Sequence, residues 1–238
     1  MSKLIVIEGI DGSGKGTQSK LLSDRLIAEN YDLFNLTFPQ YHNPSSYFVR
    51  QYLNGMYGKN AKDVSAKQAS LCYAMDRFNA FKGDERTKAA LASPNTIMLA
   101  NRYTTSNILY QATKATSKNE IYELIDWICE IEYGILEIPK PDIVIMPYVE
   151  IEKNISMMRK RDINQNAINN NMTKDIHEQD TDYLRHVHRT SEIIAERMGF
   201  EIINCMNQEG EIRSIEDIHE EIYHKVDEKI LRLVKKKS

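Results

Sequence analysis

A doubly wound α/β fold, with five parallel strands and helices on both faces, is what this sequence predicts. Three observations carry the prediction. Short β-rich apolar runs recur along the chain, longer stretches with helical spacing separate them, and a glycine-rich turn ties the first run to a helical pattern. Parallel neighbours need long crossovers, which helices usually supply. With 238 residues and 42% hydrophobic side chains, the chain can bury one good core. Neither an internal repeat nor a linker divides it, so a single domain over 1–238 is expected.

The first strand is KLIVIE at 3–8, rich in β-branched residues. It runs into the turn GIDGSGKG at 9–16, and a helix follows. The runs DLFNLTF at 32–38, NTIMLA at 95–100, DIVIMPY at 142–148 and FEIINC at 200–205 give the other four strands. Helical spacing covers 65–81, 120–134 and 182–198. The last helix, 214–234, opens on Ser214 ahead of Glu216 and Asp217, as a capped helix does. One stretch breaks the rhythm. RDINQNAINNNMTKDIHEQD, 161–180, is polar and asparagine-rich, too poor in apolar surface to offset its own ordering. With Arg159, Lys160 and Arg161 at its start and Lys174 within it, the segment reads as a mobile lid over about 159–178.

Charge and cysteine usage exclude several classes. A net charge of -3 gives no broad basic field of the kind that draws duplex nucleic acid or an anionic membrane. Cys72, Cys129 and Cys205 stand alone, without a C-x-x-C pair, and read as buried thiols in a reducing compartment. The chain enters a strand at once, and no apolar run approaches the roughly 20 residues that cross a bilayer. A cytoplasmic protein is expected. Lys235, Lys236 and Lys237 read as a solvated tail that favours the negative end of the last helix.

The opening turn carries the chemistry. It fits G-x-x-x-x-G-K from Gly9 to Lys15, with the usual following hydroxyl displaced from Gly16 to Thr17. Glycines let backbone N–H groups converge on phosphate oxygens, the helix aims its positive end there, and the lysine reaches the terminal phosphates. This is a cradle for a nucleoside triphosphate, spanning Gly9, Ile10, Asp11, Gly12, Ser13, Gly14, Lys15, Gly16 and Thr17. An N-K-x-D run is missing, which argues against a guanine-nucleotide switch. Arginines near the strands' carboxyl ends, where such folds bind ligands, suggest a second anion.

Read in order, these residues resemble the thymidylate kinase family over nearly the whole chain. The resemblance rests on Glu8 to Gln18, on Phe38 and Pro39 followed by PSSYFVRQYL at 44–53, on YAMDR at 73–77, on NRYTTSNILYQ at 101–111 and on DIHEQD at 175–180. Asn101 stands where the family has aspartate. The resemblance implies transfer of the γ-phosphoryl group of ATP to dTMP, with Mg²⁺, in a homodimer. It implies that Lys15 acts on the β- and γ-phosphates while Arg50 and Arg102 grip the acceptor phosphate. Tyr73 would stack on the base and Arg77 would donate to a thymine carbonyl. Asn107 and Tyr110 would contact base and sugar, with Tyr110 crowding out a ribose 2′-hydroxyl, and Phe38, Pro39 and Ser106 would complete the acceptor site. Asp11 would take the 3′-hydroxyl or join Thr17 at the metal. Gly12 holds the position from which some members supply a loop arginine, so Arg159 or Arg161 inherits that task ahead of Lys160, and the choice between the two arginines stays open. Glu178 and Asp180 would steady the metal or simply pair with lid bases, the pairing being the reading preferred. Two other readings stand beside this one. GSGKGTQ also resembles the adenylate kinase loop, which allows a monophosphate kinase of other or relaxed base choice. Gly16 and Asn101 together allow a non-catalytic nucleotide-binding protein.

Overall fold

The structure, a computed structural model, describes residues 1–168 and 180–237. Five strands form one parallel sheet: β1 (Lys3–Ile7), β2 (Asp32–Thr37), β3 (Thr96–Asn101), β4 (Ile143–Tyr148) and β5 (Glu201–Asn204). Their order is β2-β3-β1-β4-β5. β1 is central, with Lys3 opposite Ile97 on one side and Ile5 opposite Ile143 on the other. Alternation in β1 divides the core, because successive strand residues face opposite sides. Leu4 and Val6 join one cluster and Ile5 and Ile7 the other.

The Ile5 face packs against α1 (Lys15–Ala28) and α9 (Ile215–Lys229) through Leu22, Leu26, Ile222 and Val226. On the Leu4 face lie α3 (Ala66–Gly83), α5 (Thr104–Gln111), α6 (Lys118–Cys129) and α8 (Thr181–Met198), with Ala80, Ile108, Ile125 and Val187 in the shared core. Side chains start these helices, Ser214 as the sequence indicates and the others as the structure adds. Ser65 and Gln68 form a capping box at α3, and Ser117, Asp180 and Ser214 each accept a backbone N–H at α6, α8 and α9. Three helices are short: α2 (Tyr47–Leu53), α4 (Glu85–Ala92) and α5.

Several expectations need correction. The 120–134 helix begins earlier, at Lys118, and gives way after Cys129 to a π-helical turn, Glu130–Ile135. The last helix stops at Lys229, short of 234, and a 3₁₀ turn follows at Leu231–Leu233. The segment beginning at 161 is not a loop from its start: α7 (Ile151–Ile168) continues through 168. Ile155 and Met158 anchor this helix in the core, and once a helix is nucleated each added residue adds a hydrogen bond whatever its polarity. The rest of the expected lid, 169–178 with Lys174 and Glu178, lies outside the described residues. Cys205 alone of the three thiols is fully buried, Cys72 and Cys129 being half-buried on α3 and α6, and all three are free. The terminal lysines are not simply solvated, since Lys236 pairs with Glu29 and Lys237 with Asp32. Among the described residues no helix is long and apolar enough to cross a membrane.

Candidate active site

The chain leaves β1 toward β2 on one side of the sheet, and after β3 it crosses to β4 on the other. The carboxyl ends of β1 and β3 therefore flank the point where the winding reverses, which is where open α/β sheets bind ligands. The glycine turn leaves β1 at this point, and Arg102 follows β3.

Gly14 caps α1 in the left-handed region, φ +82°, and contributes no side-chain bond to the first turn. The first-turn N–H groups are thus left for an anion. Gly12, φ +85°, has a different reason to be glycine: a Cβ there would lie 2.4 Å from the Asn154 carbonyl of α7. No arginine could stand at that position with α7 in place. Lys15 folds back over the turn, donating to the Ile10 carbonyl at 3.3 Å and to Asp11 Oδ1 at 2.9 Å. Arg102 donates to the same Oδ1, and the Tyr110 hydroxyl donates to Oδ2 at 2.9 Å. Burial alone would raise the Asp11 carboxyl, but the charges of Arg102 and Lys15 overcome it and hold it well below the usual carboxylate range. Burial and the nearby Arg102 charge lower the Lys15 ammonium, and Asp11 opposes them. Arg102 has φ +64°, a conformation costly for a non-glycine residue and concentrated at functional sites.

Two clefts meet here. One is lined by Asp11, Phe38, Pro39, Tyr73, Arg77, Arg102, Ser106, Asn107, Tyr110 and Gln111 among others. The second runs along the turn past Asp11, Gly12, Gly14, Lys15, Gly16 and Thr17 to Asn101, Arg102, Met157 and Met158. Asp11 and Arg102 line both. Glu8, fully buried, fastens the clefts from below by accepting from Gly9 N at 2.9 Å, Thr105 Oγ1 at 2.5 Å and Ser106 Oγ at 2.7 Å. Phe38 packs against Phe81 and Tyr103. Gly9, Ile10 and Ser13 form the buried body of the turn.

The structure does not bring every expected residue to the clefts. Arg50 spends its guanidinium on its own neighbourhood, with Nη1 donating to the Tyr41 carbonyl at 2.7 Å, the Asn43 carbonyl at 3.1 Å and Ser46 Oγ at 2.6 Å. Arg159 is exposed on α7 and lines neither cleft. The Arg161 side chain lies outside the described residues. Arg77 does reach the first cleft, but as half of a buried pair: Nε and Nη2 donate to Glu132 Oε2 and Oε1 at 2.5 and 2.6 Å. Glu132 and Gln111 escape the sequence reading. Gln111 is fully buried beside the cleft, and neither of its amide atoms has a hydrogen-bond partner among the described residues. Its spacing of four from Asn107 on α5, which sets both on one helix face, was the available signal.

A triphosphate cradle opening onto a second cleft, with one arginine common to both, is the arrangement of a P-loop kinase, and this chain is of that class. Comparison narrows the class. A family model described as thymidylate kinase matches residues 7–222, and the chain belongs to that family. It is 32% identical over 150 residues to a thymidylate kinase of Mycobacterium tuberculosis, covering 63% of this chain and 67% of that one. A probable thymidylate kinase of Methanocaldococcus jannaschii is 30% identical over 218 residues, 92% of each chain. Among solved structures, the thymidylate kinase of Candida albicans superposes with a TM-score of 0.65 at 18% identity, over 95% of this chain and 92% of that one. That likeness speaks for the fold.

Proposed function

We infer that the chain transfers the γ-phosphoryl group of ATP to the phosphate of dTMP, giving ADP and dTDP. The observation that carries this reading is that Asp11 and Arg102 line both clefts, so anions seated in the two would meet end to end. A phosphate acceptor is already ionised at neutral pH. No strong general base is needed, and the work reduces to alignment and charge stabilisation. Lys15 serves the terminal phosphates of ATP and Arg102 the acceptor phosphate. Tyr73 lies against the base, Arg77 and Asn107 read its edge, and Tyr110 faces the sugar. Arg159 and Arg161 are the candidates for closing over the transferred group.

Mg²⁺ fits the donor set of the second cleft. Asn101 Oδ1 is buried without a hydrogen-bond partner among the described residues and lines that cleft together with Thr17. These oxygens, with water and phosphate, suit a hard cation. Asp11 suits it less, because both its oxygens are taken by Lys15, Arg102 and Tyr110. When bound, the ion neutralises charge on the β- and γ-phosphates. A homodimer is part of the same reading. Leu71 and Met75, four apart on α3, are both exposed and form one apolar stripe. Three free cysteines fit a reducing cytoplasm.

ADP formation with dTMP, dUMP, dCMP, AMP and GMP as acceptors tests the assignment. The expected order puts dTMP first, and Lys15→Ala abolishes transfer while the fold persists. A preference for AMP would overturn the reading.

A further inference from the structure

Glu132 is fully buried and lines neither cleft, yet two of its three donor side chains line the first. It accepts from Arg77 twice, from Thr104 Oγ1 at 2.7 Å and from Asn107 Nδ2 at 2.8 Å. The pair with Arg77 is side-on. It engages Nε and Nη2, and the remaining amino group, Nη1, has no hydrogen bond within the described structure. The Asn107 amide is fixed in the same way. Its Nδ2 faces two acceptors, Glu132 Oε1 and the Ser70 carbonyl at 3.2 Å. Flipping the amide would set oxygen against both. Asn107 Oδ1 is consequently left over, buried and without a hydrogen-bond partner among the described residues. One carboxylate thus decides which group of Arg77 and which end of Asn107 remain for a ligand: a donor from the arginine, an acceptor from the asparagine.

We propose that Glu132 is the positioning residue for base choice: by holding Arg77 and Asn107 in these roles it fits the cleft to a pyrimidine imide edge, N3–H beside a carbonyl, and against cytosine. Cytosine presents the reverse pattern, with N3 accepting and the N4 amino group donating. This rests on the dTMP reading above and deepens it. Uracil shares the imide edge with thymine, so Glu132 separates both from cytosine and does not separate them from each other.

The test is Glu132→Gln, with kcat and KM measured for dTMP, dUMP and dCMP. A glutamine places an N–H where the carboxylate accepts, so either Arg77 loses a bond or Asn107 must turn. The kcat/KM preference for dTMP over dCMP should fall by about tenfold or more, chiefly through a higher KM for dTMP, while the dTMP to dUMP ratio stays within about twofold. Glu132→Asp, which keeps the charge, should recover part of the preference. An unchanged dTMP to dCMP ratio, or an equal loss with all three acceptors, would overturn the proposal. Wild-type protein that itself showed no preference for dTMP over dCMP would instead overturn the functional reading. Should Glu132→Gln fail to fold, a crystal structure of the wild-type chain with dTMP decides. The expected complex keeps the Arg77–Glu132 pair closed, with Nη1 on the base carbonyl and Asn107 Oδ1 on N3. Arg77 released from Glu132 to address the base would refute it.

Discussion

Arg77→Met strands a carboxylate in the core, and its cost can be worked from the geometry. Arg77 is 2% exposed and Glu132 0%, so neither group has solvent to fall back on. Removing one partner of such a pair costs about 3–5 kcal/mol, because the remaining charge stays buried and uncompensated. Unfolding entropy of roughly 2.1 cal/mol/K per residue gives about 0.5 kcal/mol/K for a chain of this length, so Tm should fall by about 6–10 °C. Differential scanning calorimetry of the ligand-free protein measures this directly. The double variant Arg77→Met/Glu132→Gln should recover most of the loss. A glutamine is neutral, and it still offers Thr104 and Asn107 hydrogen-bond partners. A fall in Tm of less than about 2 °C for the single variant, or a double variant no better than the single, would refute the account of the pair as a mutually compensated buried charge.

Two further predictions concern the phosphate turn. Gly12→Ala forces a Cβ against the Asn154 carbonyl at positive φ and should cost about 1–3 kcal/mol, whereas Gly16→Ala meets nothing within 4 Å and should gain up to about 1 kcal/mol from reduced chain entropy. Equal urea midpoints for the two variants would contradict this. The second prediction follows from the Asp11 carboxyl being held below its unfolded value. Its stabilising contribution is fully present above about pH 4 and is lost as the pH falls, because the unfolded chain then binds more protons. Asp11→Asn should therefore be less stable at pH 7 and show a flatter stability profile between about pH 4 and pH 2. Parallel profiles for wild type and variant would argue against it.

The strands and the phosphate turn are legible in the sequence because their signals are local. A β-branched run against Gly9 to Lys15 needs no knowledge of the rest of the chain. The same holds for Asn107 and Tyr110, which share the short helix that follows Arg102. Glu132 is illegible for the opposite reason: its partners Arg77 and Thr104 are 55 and 28 residues away, and only packing brings them together. Its place on a π-helical turn interrupts the very periodicity that predicts the helix. Arg50 lines neither cleft for a reason equally hidden in the sequence, since the carbonyls of Tyr41 and Asn43 claim its guanidinium locally. Gly12 has a meaning that only α7 reveals.

Asp11 sits between the two cations that the phosphates would use. In the free protein this carboxylate acts as a resident counter-ion, and with the buried Glu8, whose charge also acts on both cations, the junction of the clefts is close to electrical balance before anything enters. A small singly charged anion gains little there, since it must displace a partner already held by both cations. A polyphosphate and a second phosphate arriving together bring enough charge to outcompete it. The carboxylate that steadies the empty site thereby sets a minimum of negative charge for whatever replaces it.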